Sequence, residues 1–148
     1  MIFNKTVISG AKRLRKYGIW VQSKIGASNW FLNDRDDVRS SWHLEETATE
    51  FDIQGLELDW TIVGWDADLR FENGTFSWYR FRGTKWERLR SNEAQLYLKN
   101  AYRVLLTRAR QGMIIFVPRG DADDQTALPA YYDELYSYLQ QIGIVEIV

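Results

Sequence analysis

The sequence predicts an α/β fold, in which helices pack on a mostly parallel β-sheet and a β-hairpin forms an insertion. Segments rich in β-branched residues alternate along the chain with segments of helical periodicity. Residues 70–81 alternate aromatic and polar residues around Asn73-Gly74, a pair typical of hairpin turns. The length of 148 residues suits one hydrophobic core. We therefore expect a single domain spanning residues 1–148.

The first third of the chain predicts a strand, a short helix and a long connection. Thr6–Ser9 is β-branched, Gly10 opens a helical segment that Gly18 ends, and Ile19–Val21 is a second candidate strand. Residues 23–41 are polar and rich in turn formers. This connection contains one apolar patch that we expect to anchor it, formed by Trp30, Phe31 and Leu32.

The middle of the chain predicts two strands that flank a loop. Residues 45–51 (EETATEF) are read as a strand and residues 52–57 as a turn. Residues 59–65 (DWTIVGW) have the β-branched apolar centre of a buried parallel strand. A loop held between two strands is a common place for functional residues.

The second half predicts a hairpin, a long helix, a strand and a terminal helix. The hairpin spans Arg70–Phe81. Ser91 is a candidate cap for a helix that runs to Arg110, and Gly112 is expected to close it. Residues 113–118 (MIIFVP) then predict a strand. Pro129 suits the first turn of an amphipathic helix that ends at Gly143, with an apolar stripe of Tyr132, Leu135, Tyr136 and Leu139.

Composition excludes several classes of function. The chain has no cysteine and one histidine, so neither a thiolate nor a histidine-based metal site is expected. Its net charge of -1 provides no global attraction to nucleic acid. One basic cluster, either a local contact for nucleic acid or the solvated face of a short helix, contains Lys12, Arg13, Arg15 and Lys16.

Targeting signals are not evident in the sequence. No apolar run approaches the roughly 18 to 20 residues that cross a bilayer, and the first twenty residues lack a signal-type apolar stretch. We expect a cytoplasmic protein without membrane contact.

Two segments resemble motifs of superfamily 1 helicases. Thr49–Asp59 (TEFDIQGLELD) is similar to motif V, and Tyr102–Arg110 (YRVLLTRAR) is similar to motif VI. The chain most resembles a bacterial family of Schlafen-like DNA/RNA helicase-domain proteins, with counterparts of SGAKRLR, DVRSS, ATEFDIQGLELDW and NAYRVLLTRAR over nearly its whole length. The resemblance implies the RecA-like second half of a helicase, a three-layer α/β sandwich.

The resemblance gives the arginines an expected role in catalysis. Arg108 matches the motif VI arginine that reaches the γ-phosphate of ATP as an arginine finger. A fixed guanidinium offsets the negative charge that phosphoryl transfer spreads over the phosphate oxygens. In the place of motif IV, Arg13 is the expected second phosphate sensor, with Arg15 as the alternative. A structural interpretation also exists, because Arg108 and Arg110 complement the dipole at a helix C-terminus.

The motif V segment carries the expected nucleotide and nucleic-acid contacts. The resemblance implies that Glu57 accepts hydrogen bonds from the ribose, and that Gln54 and Gly55 shape the turn. It also implies that Thr49 touches a backbone phosphate of nucleic acid. Many relatives have a histidine where this chain has Phe51, whose ring is suited to stacking on a base. Glu57 facing solvent and Gly55 serving only the backbone are the structural alternatives.

The phosphate-binding half of such an enzyme is missing from the sequence. No GxxxxGK[ST] loop is present, and Asp36-Asp37 lies in a polar stretch and not after an apolar strand. ATP with Mg²⁺ is therefore expected to bind only together with a Walker-bearing domain. We expect the chain alone to be inactive, and its partners to be that domain and single-stranded DNA or RNA.

Two other functions are compatible with the sequence. One is a metal-dependent nuclease built on the acidic residues Glu57, Asp59, Asp66 and Asp68. The other is a non-catalytic interaction module for nucleic acid or protein. Its stacking platform would be four hairpin aromatics beside two arginines, namely Trp78, Tyr79, Phe81 and Trp86 with Arg80 and Arg82.

Overall fold

A computed structural model describes residues 3–7, 14, 16–19, 25–43 and 46–147. Within them the chain forms a parallel sheet and an antiparallel sheet. The parallel sheet contains β1 (Phe3–Val7), β2 (Leu58–Gly64) and β6 (Ala109–Phe116); the antiparallel sheet contains β3 (Leu69–Glu72), β4 (Thr75–Arg82) and β5 (Lys85–Arg88). The helices are α1 (Ala27–Leu32), α2 (Asn92–Leu106) and α3 (Asp133–Gln141), with 3-10 turns at Ser41–His43 and Pro129–Tyr131.

The parallel sheet confirms the predicted mixed α/β class. Strand β2 lies between β1 and β6 and runs parallel to both. Leu58, Thr61, Val63 and Gly64 of this strand are buried, and its other residues are partly buried. Strand β1 begins earlier than the predicted Thr6, while Ser9 and most of the expected helix and second strand in residues 10–21 lie outside the described residues.

The predicted hairpin is confirmed at β3 and β4. Asn73 and Gly74 have φ values of 52° and 76°, so both turn residues adopt the left-handed conformation that this pair tolerates. The insertion is larger than predicted, because β5 pairs with β4 after a second turn at Gly83. It is a three-stranded antiparallel sheet that lies in sequence between β2 and α2.

Helix α2 starts where the sequence predicts but ends four residues early. The Ser91 hydroxyl accepts a hydrogen bond from the Ala94 amide at 3.4 Å. The helix ends at Leu106, and the prediction that it runs to Arg110 is wrong because Ala109 already pairs with Leu58 in the parallel sheet. Gly112 therefore lies inside a strand and does not close the helix.

Gly112 is required for the contact between β6 and β2. A Cβ atom at this position would lie 2.1 Å from a ring carbon of Trp60. We expect Gly112→Ala to lower the free energy of unfolding by about 1 to 3 kcal/mol, because the indole must move. Urea denaturation measures this. Gly26→Ala is the control: its nearest atoms belong to the Asn29 side chain, and the expected loss is below about 1 kcal/mol. Equal losses in the two variants would contradict the prediction.

The connection before β2 is anchored as predicted but contains a helix. Trp30 on α1 is 1% exposed, and its Nε1 donates a hydrogen bond to the Glu46 carbonyl at 3.4 Å. Phe31 packs against the core, whereas Leu32 is 76% exposed and does not anchor the segment. The strand predicted over residues 45–51 is wrong for the described residues 46–51, which form one isolated bridge at position 48 followed by a turn.

The main core lies between the parallel sheet, the insertion and the C-terminal helices. As predicted, Pro129 begins the turn that leads into α3. Tyr132, Leu135 and Leu139 are buried, while Tyr136 lies at the edge of the predicted stripe and is partly exposed. Residues from each of these elements share one cluster, including Leu58, Val63, Leu69, Leu98, Tyr102, Leu105, Leu135 and Leu139.

A buried carboxyl group lies beside this core. Asp68 is 5% exposed, and the Tyr102 hydroxyl donates a hydrogen bond to its Oδ1 at 2.6 Å. Burial raises the pKa of Asp68 to about 7, against the lowering effect of the Tyr102 hydrogen bond. The negative charge of Glu50 is a smaller contribution to the same rise in pKa.

This carboxyl group predicts a pH-dependent stability. The folded-state pKa of Asp68 lies above the unfolded value of 3.8, so the folded state binds more protons between about pH 4 and pH 7. The free energy of unfolding is therefore expected to fall as the pH rises through this window, by on the order of a few kcal/mol. Urea denaturation at pH 5 and pH 8 measures the change. Asp68→Asn should flatten it, and an unchanged pH dependence in that variant would contradict the assignment.

Candidate functional site at the edge of the parallel sheet

The two helicase-like segments meet at one edge of the parallel sheet. The 49–57 segment leads into β2, and the end of α2 leads into β6. Because β2 and β6 are parallel neighbours, their N-terminal ends lie at the same edge. The Leu58 amide donates a hydrogen bond to the Arg108 carbonyl at 2.9 Å. Segments that are about forty residues apart in sequence are thus joined directly.

The 49–57 segment is held by its own hydrogen bonds. The amide and the hydroxyl of Thr49 both donate to Asp52 Oδ2, at 2.8 and 2.7 Å. The Leu56 amide donates to the Ile53 carbonyl at 3.0 Å, and Gly55 has a φ of 82°. A turn with positive φ at its third residue favours glycine there, so the turn by itself explains the glycine at position 55. Ile53 is fully buried and fixes the segment to the core.

The side chains of this segment divide between solvent and core. Gln54 and Glu57 are exposed, whereas Glu50 is 5% exposed. Phe51 is 63% exposed, and its ring centroid lies 6.4 Å from that of Tyr97 on α2. Tyr97, itself 54% exposed, was not singled out from the sequence. The sequence signal for Tyr97 is that it directly precedes Leu98, which belongs to the buried face of α2.

Arg108 lies two residues after the end of α2 at Leu106. Its Nη2 donates a hydrogen bond to the Thr107 hydroxyl at 3.2 Å, and that hydroxyl donates to the Arg103 carbonyl at 2.6 Å. The Arg108 side chain is half-buried. Within the described part of the chain, its Nε atom is buried and has no hydrogen-bond acceptor. Because the side chain is only half-buried, the rest of the guanidinium is accessible to an anionic group.

Arg110 and Glu57 form the outer rim of the edge. Arg110 Nε lies 3.8 Å from Glu57 Oε2, with both side chains more than 60% exposed. Such a surface pair contributes little to stability. It nevertheless places the predicted ribose-binding carboxylate beside the second helicase-like segment, residues 102–110.

The remaining predicted phosphate sensor lies outside the described residues. This applies to Arg13 and equally to Arg15. From the same basic cluster, the structure describes Lys16, whose Nζ lies 3.0 Å from Asp124 and 3.5 Å from Asp121. Lys16 is therefore neutralised by the loop that precedes α3.

The acidic residues considered for a nuclease do not assemble. Glu57 precedes β2, while Asp66 and Asp68 follow its other end and are 0% and 5% exposed. Among the described residues, no group of three or more potential ligands is arranged to hold a metal ion. The geometry thus gives the nuclease hypothesis no support.

The hairpin aromatics considered for base stacking are engaged in packing. Trp86 Nε1 donates to the Thr126 carbonyl at 2.8 Å, and the Tyr79 hydroxyl donates to Glu72 Oε2 at 2.8 Å. Phe81 packs edge-on against Trp86 at 5.1 Å, and Trp78 contacts the main core. These rings do not form an open platform.

Comparison with known proteins identifies the class of domain. A family model of the Schlafen group 3 DNA/RNA helicase domain matches residues 6–119. The chain is therefore a helicase-type domain. More specifically, it belongs to the Schlafen group 3 DNA/RNA helicase domain family. No curated protein and no solved structure shows significant similarity to it. In the part of the chain that the structure describes, every helix is too short or too polar to span a membrane.

Proposed function

We propose that the chain is the second, RecA-like half of a nucleic-acid-dependent ATPase of the superfamily 1 helicase type, folded as a single domain. Packing on both faces of the parallel sheet supports the layered fold. Met113 and Ile115 of β6 contact the main core on one face of the sheet. Phe116 has the opposite parity along the strand, and its ring centroid lies 5.9 Å from that of Tyr17. A RecA-like sandwich has a sheet covered in this way on both sides.

The observation that carries the proposal is the position of Arg108. It stands at the sheet edge beside the motif V segment, with a guanidinium that is only half-buried. The site accordingly suits an anionic ligand, and the proposed ligand is the γ-phosphate of ATP with Mg²⁺ on the Walker-bearing domain. Arg108 would offset negative charge that develops during phosphoryl transfer. The exposed Glu57 would accept hydrogen bonds from the ribose.

The nucleic-acid contact is assigned to the start of the motif V segment. Phe51 has an exposed ring, which is suited to stacking on a base of single-stranded DNA or RNA. Thr49 would act mainly through the turn that it forms with Asp52, because its hydroxyl proton is already donated there. A change in this turn on nucleic-acid binding would reach Arg108 through the Leu58 hydrogen bond.

The test is reconstitution of the ATPase from two halves. ATP hydrolysis is measured in the presence of single-stranded DNA or RNA, for this chain alone and for a mixture with a separately made Walker-bearing domain from a relative. We expect activity only in the mixture. Hydrolysis by the chain alone would refute the two-half proposal. So would a mixture that forms a complex and remains inactive.

A further inference from the structure

Positive charge is concentrated on the ribbon formed by β4 and β5. Residues 80–90 contain five basic residues and one acidic residue, a local net charge of +4, whereas the whole chain has a net charge of -1. The rest of the protein is therefore negative. Every basic residue of this segment is exposed, namely Arg80, Arg82, Lys85, Arg88 and Arg90.

The tip of the ribbon holds two cations directly opposite each other. Arg82 pairs with Lys85 across the strands, next to the turn at Gly83. Like charges at opposed positions repel, so this pair is not explained by the stability of the sheet. Arg80, on the same face, is neutralised by Glu87 at 3.2 Å. Among the described residues, neither Arg82 nor Lys85 forms an ion pair.

We propose that this ribbon contacts the backbone phosphates of a DNA duplex. Exposed cations without acidic partners suit phosphates, which supply most of the sequence-independent affinity of nucleic-acid binding. Arg82 and Lys85 occupy opposed positions on one face of the ribbon, so both can contact the same phosphate backbone. A two-stranded ribbon also matches the width of the B-DNA major groove.

The aromatic residues of the ribbon favour a duplex over a single strand. Binding of single strands relies on exposed rings on which bases stack. Here Trp86 donates to the Thr126 carbonyl, and Tyr79 and Trp86 pack on the Arg70 guanidinium. On the face that carries the Arg80–Glu87 pair, Arg82 and Lys85 are the cations without an acidic partner among the described residues. This surface is separate from the Arg108 edge, so the inference goes beyond the proposed ATPase role and does not require it.

The experiment measures binding of a labelled DNA duplex by fluorescence anisotropy over a series of salt concentrations, without ATP and without a second domain. The double variant R82Q/K85Q is compared with K99Q/R119Q, which removes the same charge from exposed positions elsewhere. We expect R82Q/K85Q to bind at least about tenfold more weakly at low salt. The slope of log K against log salt should decrease by about 1.8, since each duplex phosphate contact contributes about 0.9. K99Q/R119Q should bind like the wild type.

Several outcomes would overturn this assignment. They are the absence of duplex binding by the wild-type chain, an unchanged salt slope in R82Q/K85Q, and an equal loss in K99Q/R119Q. A loss confined to single-stranded DNA, with a slope change of about 1.4, would replace the duplex by a single strand. Equal binding of an RNA duplex would remove the assignment to DNA. Thermal melting controls for folding, and R82Q/K85Q should melt no lower than the wild type because it relieves a like-charge pair.

Discussion

Arg108→Ala is expected to reduce kcat for ATP hydrolysis by the assembled two-domain enzyme by roughly 10³- to 10⁵-fold, the range typical of a lost arginine finger. The guanidinium is placed by the end of α2 and by the hydrogen bond between Leu58 and the Arg108 carbonyl. Alanine leaves these backbone contacts intact and removes only the donors. Single-turnover hydrolysis, with nucleic acid saturating, measures the chemical step.

Two further variants separate charge from geometry. Arg108→Lys keeps the charge but lacks the planar fork of donors, so it should restore little of the activity. Arg110→Ala breaks only the exposed contact with Glu57 at 3.8 Å and should change kcat by a few-fold at most. An Arg108→Ala enzyme that keeps a tenth of the activity would contradict the assignment. So would a similar loss in Arg110→Ala.

Elements encoded by local signals were predictable from the sequence. The hairpin follows from Asn73 and Gly74, both of which have positive φ, and the start of α2 follows from the Ser91 cap. The turn at Pro129 and the buried centre of β2 belong to the same group. Each signal depends on the preferences of a few neighbouring residues.

Elements decided by long-range pairing were not predictable in this way. Residues 107–110 continue the helical pattern of α2, but hydrogen bonding to β2 begins at Ala109 and ends the helix. Gly112 has the usual signature of a helix end, yet it makes room for Trp60 from another strand. Strand β5 has few apolar residues, and its pairing with β4 defines it. Tertiary contacts overrode local preference in these cases.

The candidate site shows the same division. The sequence supplied the residue types and the order of the two motifs, but not their meeting at the N-terminal ends of β2 and β6. Nor did it indicate that the Thr49 hydroxyl donates to Asp52, or that Tyr97 lies beside Phe51. Such contacts depend on how separate segments are brought together by the sheet.

Arg70 of the antiparallel sheet packs against Tyr131, in the turn that precedes α3. Its guanidinium carbon lies 3.5 Å from the ring centroid of Tyr131, 3.9 Å from that of Tyr79 and 5.4 Å from that of Trp86. Its Nε donates to the Ala67 carbonyl at 2.8 Å, and the residue is 4% exposed. Within the described chain, Nη2 has no hydrogen-bond acceptor, and Nη1 lies 3.8 Å from Glu72 Oε1. The aromatic faces and this long ion pair together offset the burial of the charge.

Arg70→Ala is therefore expected to lower the free energy of unfolding by about 3 to 5 kcal/mol, because it removes a buried side chain that packs against three rings. Urea denaturation monitored by tryptophan fluorescence measures the loss. Arg70→Met should lose less, since an apolar side chain fills part of the volume and removes the need to bury a charge. Arg80→Ala is the matched control on the same sheet: its exposed pair with Glu87 is worth less than about 1 kcal/mol. If Arg70→Ala lowered the free energy of unfolding as little as that control, the contacts of Arg70 with the three rings would not be what holds the insertion to the residues preceding α3.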